Sequence, residues 1–153
     1  MARVVWVLHG VNLGLLGRRE PELYGKATLA SIDRRLTALG ETLGLRVSSF
    51  QTNHEGAFID RLTVAMDEAE GCLINPAAWS HGSLAIADML RSMTIPVVEV
   101  HMTNLYAREH DRQVSLTGAV ASGVVMGFGI RSYELGLQAL AALIPGRRAS
   151  RAR

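Results

Sequence analysis

Short β-branched or apolar runs alternate with amphipathic helical patterns along the whole chain, and no other feature narrows the possible folds so far. The stretches "VVWVLH" (4–9), "LRVSSFQTN", "GCLIN", "PVVEVH" and "GVVMGFGI" read as five strands. Between the first two, Leu29, Ile32, Leu36, Leu39 and Leu43 recur at helical spacing behind Thr28, a residue suited to an N-cap. "AFIDRLTVAMDEAE" and "GSLAIADMLRSM" supply two more helices, the latter with Ser83 near its cap, and "SYELGLQALAALI" supplies a closing one. Pro76 ends the third strand. Strands that alternate with helices pair in parallel and place those helices on both faces of the sheet. The expected fold class is therefore α/β, a three-layer, doubly wound, five-stranded parallel sheet. No repeat, linker or composition shift interrupts the pattern, so residues 1–146 are expected to form one domain and 147–153 a basic, disordered tail.

Composition excludes several classes of function. A chain of 153 residues can bury a sizeable core, and 48% hydrophobic against 20% charged residues is a globular balance. No apolar run reaches the ~18 residues of a membrane span, and "MARVVWVLHG" turns polar too soon for a secretory signal. Cys72 is the only cysteine, so no internal disulfide can form and a reducing cytoplasm is the expected location. The net charge of +2 is small, and the tail "GRRASRAR" holds four of the arginines behind it. That tail reads as a frayed end rather than a nucleic-acid arm, and neither a nucleic acid nor a membrane is expected as partner.

Open parallel sheets bind ligands beyond the carboxyl ends of their strands. Here those ends carry His9 and Gly10, Gln51 to His54, Asn75 and His101. The loop after the first strand runs from about Gly10 to Ala27, well beyond the ~4–6 residue median, and such loops often serve as lids. It contains "GRREPELYGK", with Arg18, Arg19, a proline brake at Pro21 and a single Tyr24. Tyr24 is either a packing anchor for the loop or a base. A guanidinium stays charged to a pH above ~12, and beside a phenol it favours phenolate. The place of this loop, over the predicted site edge, favours the chemical reading.

Glu99 and His101 lie two residues apart on the fourth strand and so point to one side of the sheet. A lone buried carboxylate is costly, so Glu99 is expected to accept from one nitrogen of His101, leaving the other for a proton. A structural ion pair, or a glutamate reaching solvent at the sheet end, is the alternative. Asn75, before Pro76, is by default turn chemistry. His81 in "SHGS" is a surface histidine or a substrate contact, and Asn12 in "GVNLGLLG" a turn former or a polar contact to a ligand. Arg108 and Arg112 would share a face on a helical turn and hold an anion or a hydroxyl; otherwise they form a solvated charged turn with Glu109 and Asp111.

Neither "GVNLGLLG" nor "GFGIRSYELG" has dinucleotide or Walker A spacing. No His-Glu-x-x-His, Cys-x-x-Cys or Gly-x-Ser-x-Gly occurs, and Schiff-base chemistry would fall to Lys26, a solvent-side loop residue by pattern. What remains is a metal-free site with a candidate phenolate base, a Glu-supported histidine acid, and amides and arginines for binding. Base and acid together suit proton abstraction beside a carbonyl with assisted loss of a hydroxyl.

The stretches "VNLGLLGRREPELYG", "FQTNHEGAFID", "INPAAWSHGSLAIADML" and "VVEVHMTNLYARE", in this order, resemble type II 3-dehydroquinate dehydratase, from about residue 4 to residue 140. The resemblance implies a flavodoxin-like fold, a homododecamer built from trimers, no cofactor, and a reaction that serves both the shikimate and quinate routes. It also implies roles. Tyr24 would remove the proton beside the ketone, with Arg19 as its activator, and Asn12 would hold a water at the enolate oxygen. His101, oriented by Glu99, would protonate the departing hydroxyl. Asn75, His81 and Arg112 would bind ring hydroxyls, and the backbone at Met102 and Thr103 the substrate carboxylate, with Thr103 in place of the usual serine. Asp88 would reach the site of a neighbouring subunit.

The chain also departs from the family pattern. The opening Asn-Gly-Pro-Asn is here His9-Gly10-Val11-Asn12, and Gly-Ala-Tyr-Thr-His-Thr-Ser is here Ala77 to Ser83, with Gly82 for the second threonine. Ala87 stands where arginine is usual and Asp111 where phenylalanine is usual, while His-His-Ser and a following Ser-Pro become Gln113-Val114-Ser115 and Gly118-Ala119. A paralogous dehydratase of a related cyclic β-hydroxyketone, or a non-catalytic binding module of the same fold, would show such changes too.

Overall fold

The structure, a computed structural model, describes residues 3–146, so the basic stretch 147–153 lies outside the described residues. Five strands, β1 (Arg3–His9), β2 (Leu45–Gln51), β3 (Gly71–Asn75), β4 (Val97–His101) and β5 (Gly123–Met126), form one sheet in the order β2-β1-β3-β4-β5. Every pairing is parallel. This is the flavodoxin-like order that the resemblance implied. The helices are α1 (Pro21–Tyr24), α2 (Leu29–Thr42), α3 (Glu55–Glu68), α4 (Leu84–Ser92) and α5 (Arg131–Leu143).

Both faces of the sheet are covered, which is why the strands read as continuous apolar runs rather than alternating ones. Val5, Val7, Leu73, Val98 and Val100 project to one face and pack against Ile32 and Leu36 of α2 and Tyr133, Leu137 and Leu140 of α5. Leu8, Cys72, Ile74 and Val97 project to the other, against Phe58 and Leu62 of α3 and Ile86 and Leu90 of α4. A Cβ on Gly136 would come within 2.4 Å of Val100, so the glycine lets α5 lie this close to the sheet. At the carboxyl edge His9 pairs with both Gln51 and Asn75, and Ile74 with Glu99, so the polar strand ends form one row.

The helix starts follow from local chemistry. The Thr28 side chain accepts from Ser31 N while Ser31 Oγ accepts from Thr28 N, a reciprocal cap for α2. Ser83 accepts from Ile86 N at the start of α4. Three expectations need correction. Pro21 does not brake the first loop; it opens the single turn of α1, where its missing N–H costs nothing. Arg108 and Arg112 share no helical turn, because the connection after β4 is built from separate 3-10 turns (Leu105–Ala107, His110–Arg112, Gly118–Val120), the first two divided at Arg108 and Glu109. The last strand stops at Met126, ahead of Gly127 and Gly129 with φ of 98° and 60°.

Candidate active site

The carboxyl edge of the sheet borders a cleft of about 590 Å³, part of it open to solvent, with Asn75 and His101 on its lining. The loop after β1 brings Asn12, Arg19 and Tyr24 to it, the end of β3 brings Asn75, Ala77 and His81, and the segment after β4 brings His101, Met102, Thr103, Arg108 and Arg112. Of the residues singled out from the sequence, Glu99 lies behind His101 rather than on the wall. Asp88 lies apart, exposed on α4 and paired with Arg91 at 2.7 Å. Its neighbour Ala87 is fully buried.

Leu13 and Leu16 sink into the core on the α2 side and anchor the start of the first loop. Beyond Gly17 (φ 87°) the segment rides over the cleft on exposed and half-exposed residues until Gly25 (φ 77°) and Lys26 return it to α2. Asn12 adopts a left-handed backbone (φ 65°) and its N–H donates to Asn53 Oδ1 at 2.9 Å. Gln51 Nε2 donates to the same oxygen and to Gly10 O, so two residues at the end of β2 fix the loop's departure.

Two guanidinium groups approach the Tyr24 ring. Arg19 Cζ is 5.7 Å from the ring centroid and Arg108 Cζ 5.9 Å, but it is Arg108 Nη1 that donates to the phenol oxygen, at 3.3 Å. Arg108 also reaches Thr103 Oγ1 and Glu109, while Arg19 comes within 3.8 Å of Glu20. Burial works against the charge on Arg108, and its bonds to Glu109 and Tyr24 outweigh this, holding the guanidinium above its ordinary value. Glu109, bonded by its own backbone amide and by Arg108, is held below the usual carboxylate range and also takes Arg112 at 2.9 Å. The contact of Arg108 with Tyr24 was not foreseen, since the two lie 84 residues apart.

On the same cleft His101 Nε2 donates to Glu99 Oε2 at 2.8 Å, and Nδ1 has no partner among the described residues. Glu99 is fully buried, yet it accepts two further bonds, from Ser115 Oγ at 2.6 Å and from Thr117 Oγ1. Ser115 and Thr117 belong to the functional layer but carry no signal in the sequence. His81 Nδ1 donates to Val114 O at 2.8 Å, which leaves Nε2 on the cleft side. Asn75 accepts from Ala77 N at 3.0 Å, the turn chemistry expected of it, and donates to Tyr133 at 2.9 Å. The Thr103 amide has no partner among the described residues. His9 stands at the site edge in sequence, but its side chain turns away from the cleft and lies buried between Asp33 and Tyr133.

Among the described residues no three His, Cys, Asp or Glu side chains come together as a metal set. Burial pushes the Cys72 thiol up to about 12, which suits a core residue rather than a nucleophile. The arrangement can therefore bring a phenol beside a permanent positive charge and a carboxylate-backed imidazole to one cleft.

Comparison with known proteins agrees over almost the whole chain. Residues 3–141 match the family model described as dehydroquinase class II. A 3-dehydroquinate dehydratase of Mesorhizobium japonicum is 49% identical over 141 residues, covering 92% of this chain and 98% of that protein. One from Desulforudis audaxviator is 47% identical over 148 residues, covering 97% and 99%. The crystal structure of type II dehydroquinase from Propionibacterium acnes superposes with a TM-score of 0.89 at 43% identity, covering 93% of this chain and 98% of that one. A 3-dehydroquinate dehydratase-like protein from Bifidobacterium longum reaches 0.70 at 30% identity, covering 92% and 97%. The chain belongs to the class II dehydroquinase family.

Proposed function

We propose that this chain is a hydro-lyase that converts 3-dehydroquinate to 3-dehydroshikimate and water by anti elimination through an enolate, without metal, cofactor or Schiff base. The observation that carries the reading is the pairing of Tyr24, its oxygen met by Arg108, with His101 backed by Glu99 on the same cleft. Tyr24, as phenolate, takes the proton from the carbon beside the ketone, and the electron pair moves into the enolate. The enolate re-forms the ketone as the carbon–oxygen bond of the β-hydroxyl breaks, and His101 gives that oxygen its proton. The always-charged Arg108 and Arg19 oppose the charge on the base. Asn12 is assigned to a water at the enolate oxygen. Asn75, His81 and Arg112 are assigned to ring hydroxyls, and the amides of Met102 and Thr103 to the substrate carboxylate. The unpartnered Thr103 amide supports the last assignment.

The same reading makes the enzyme a cytoplasmic homo-oligomer of trimers, with Asp88 contributing to a neighbour's site. In support of the assembly, Leu84, Tyr106, Val114 and Phe128 are each more than 60% exposed. The deciding experiment mixes purified protein with 3-dehydroquinate and follows the conjugated enone by ultraviolet absorbance. Turnover is expected, and Tyr24→Phe should lower kcat by at least ~10²-fold with folding intact. A folded oligomer without turnover would move the reading to a dehydratase of another cyclic β-hydroxyketone. Ligand-induced stabilisation without any product would favour a binding module.

A further inference from the structure

His9 is the fully buried last residue of β1, in register with Asn75 at the end of β3. Both side chains enter the layer between the sheet and α2 and α5, where four groups meet in sequence. Asn75 Nδ2 lies 2.9 Å from Tyr133 Oη, Tyr133 Oη lies 3.2 Å from His9 Nδ1, and His9 Nε2 lies 2.8 Å from Asp33 Oδ1. The Asn75 carbonyl oxygen is occupied on its other side by Ala77 N at 3.0 Å.

With Asp33 ionised and the His9 ring neutral, donor and acceptor chemistry sets the direction of every bond. Ala77 N can only donate, so Asn75 must face it with Oδ1 and turn Nδ2 towards Tyr133. Ionised Asp33 can only accept, so Nε2 of His9 carries the proton. With the ring neutral, Nδ1 is then an acceptor and takes the hydrogen of Tyr133, whose oxygen is free to accept from Asn75. Burial raises the Tyr133 phenol above its ordinary value, so it keeps the hydrogen it donates. Four bonds thus run one way, from the Ala77 turn and Asn75 inward to the carboxylate of Asp33, and each buried group is satisfied. One Nδ2 hydrogen of Asn75 is left without a protein partner, on a residue that lines the cleft.

We propose that His9, held by Asp33, is a positioning residue that acts through Tyr133 to lock the Asn75 amide as a hydrogen-bond donor towards the cleft, so that this corner selects a ligand oxygen that accepts. The assignment of the ligand rests on the dehydratase reading; the relay itself does not. The Ala77 N–H sets which end of the amide faces the turn; the His9 link holds the Tyr133 oxygen ready to accept from Nδ2, which a residue that merely filled the space would not do.

Two measurements test this. In the unaltered protein, long-range ¹H–¹⁵N correlation spectra near neutral pH should show His9 as the neutral Nε2–H tautomer; an Nδ1–H tautomer or a doubly protonated ring would overturn the relay, whatever the enzyme turns over. In kinetics with 3-dehydroquinate, His9→Leu should raise KM about tenfold, as expected for one weakened hydrogen bond, with kcat changed less. Tyr133→Phe should do the same, and the double variant should be no worse than either single one. His9→Asn, whose carbonyl can take the Tyr133 hydrogen, should restore most of the loss. Multiplying KM effects, an unchanged KM for His9→Leu, or a drop in kcat alone would overturn the proposal. Absence of turnover by the unaltered enzyme would count against the dehydratase reading alone, and the spectrum would then decide the relay.

Discussion

Arg108 binds the Tyr24 oxygen and Thr103 with one nitrogen while Glu109 holds the rest of its guanidinium. A lysine has no planar fork to divide in this way. We therefore expect Arg108→Lys to lower kcat by about 10²-fold, comparable to removing one donor from a developing charge, with the melting temperature nearly unchanged. Arg19→Ala should cost less, because Arg19 meets the ring rather than the oxygen. An Arg108→Lys variant with full kcat would remove Arg108 from the mechanism. Behind His101, a Cβ on Gly118 would sit 2.7 Å from Glu99 Oε2, so Gly118→Ala should push the carboxylate from its partners and lower kcat as well as stability. The hydroxyl donors to this carboxylate are Ser115 and Thr117. The pairing of Glu99 with His101 was legible because a spacing of two in a strand guarantees a shared side. The partners from Ser115, Thr117 and Arg108 were not, since no local rule brings a loop residue to a side chain so distant in sequence.

At the scale of the element, Ala77 stands out. Its φ of 54° lies in the left-handed region, which costs a side-chain-bearing residue roughly 1–2 kcal/mol. The conformation is imposed from both sides, by Asn75 Oδ1 on its N–H and by Ser80 Oγ on its carbonyl. Ala77→Gly, which restores the residue the family pattern has here, should raise stability by up to about 1 kcal/mol, read as a shifted urea midpoint. In the other direction, Thr28→Ala removes one half of the reciprocal cap on α2 and should cost about 1 kcal/mol. Strands and long helices were readable within a few residues, because burial on a sheet or one helix face repeats with a fixed period. The segment 105–122 was not: single 3-10 turns are too short to show any period, and of the two readings of Arg108 and Arg112 the shared helical turn is not met, while the charged turn is, with both arginines on Glu109.

For the molecule as a whole, two buried groups set the alkaline limit. The Cys72 thiol is pushed by burial from an ordinary 9.0 up to about 12, and the Tyr133 phenol is also raised. Above about pH 9 for the thiol and about pH 10 for the phenol the unfolded chain loses these protons while the folded one keeps them, so stability falls as pH rises towards 12, by up to about 1.4 kcal/mol per pH unit for each group. Urea midpoints at pH 8 and pH 10.5 should differ accordingly, and Cys72→Ala should flatten part of the slope; a slope unchanged in that variant would exclude the thiol as its source. The fold class was legible from the alternation of strands and helices, and the strand order only from the resemblance, since nothing local says which strand lies beside β1. The arginine-rich composition has one last effect. The chain's single lysine, Lys26, is exposed just past Gly25, where the segment that carries Tyr24 rejoins the body. An amine-reactive dye thus has one side chain to find, at the foot of the segment that carries Tyr24, and can mark that segment without an engineered cysteine.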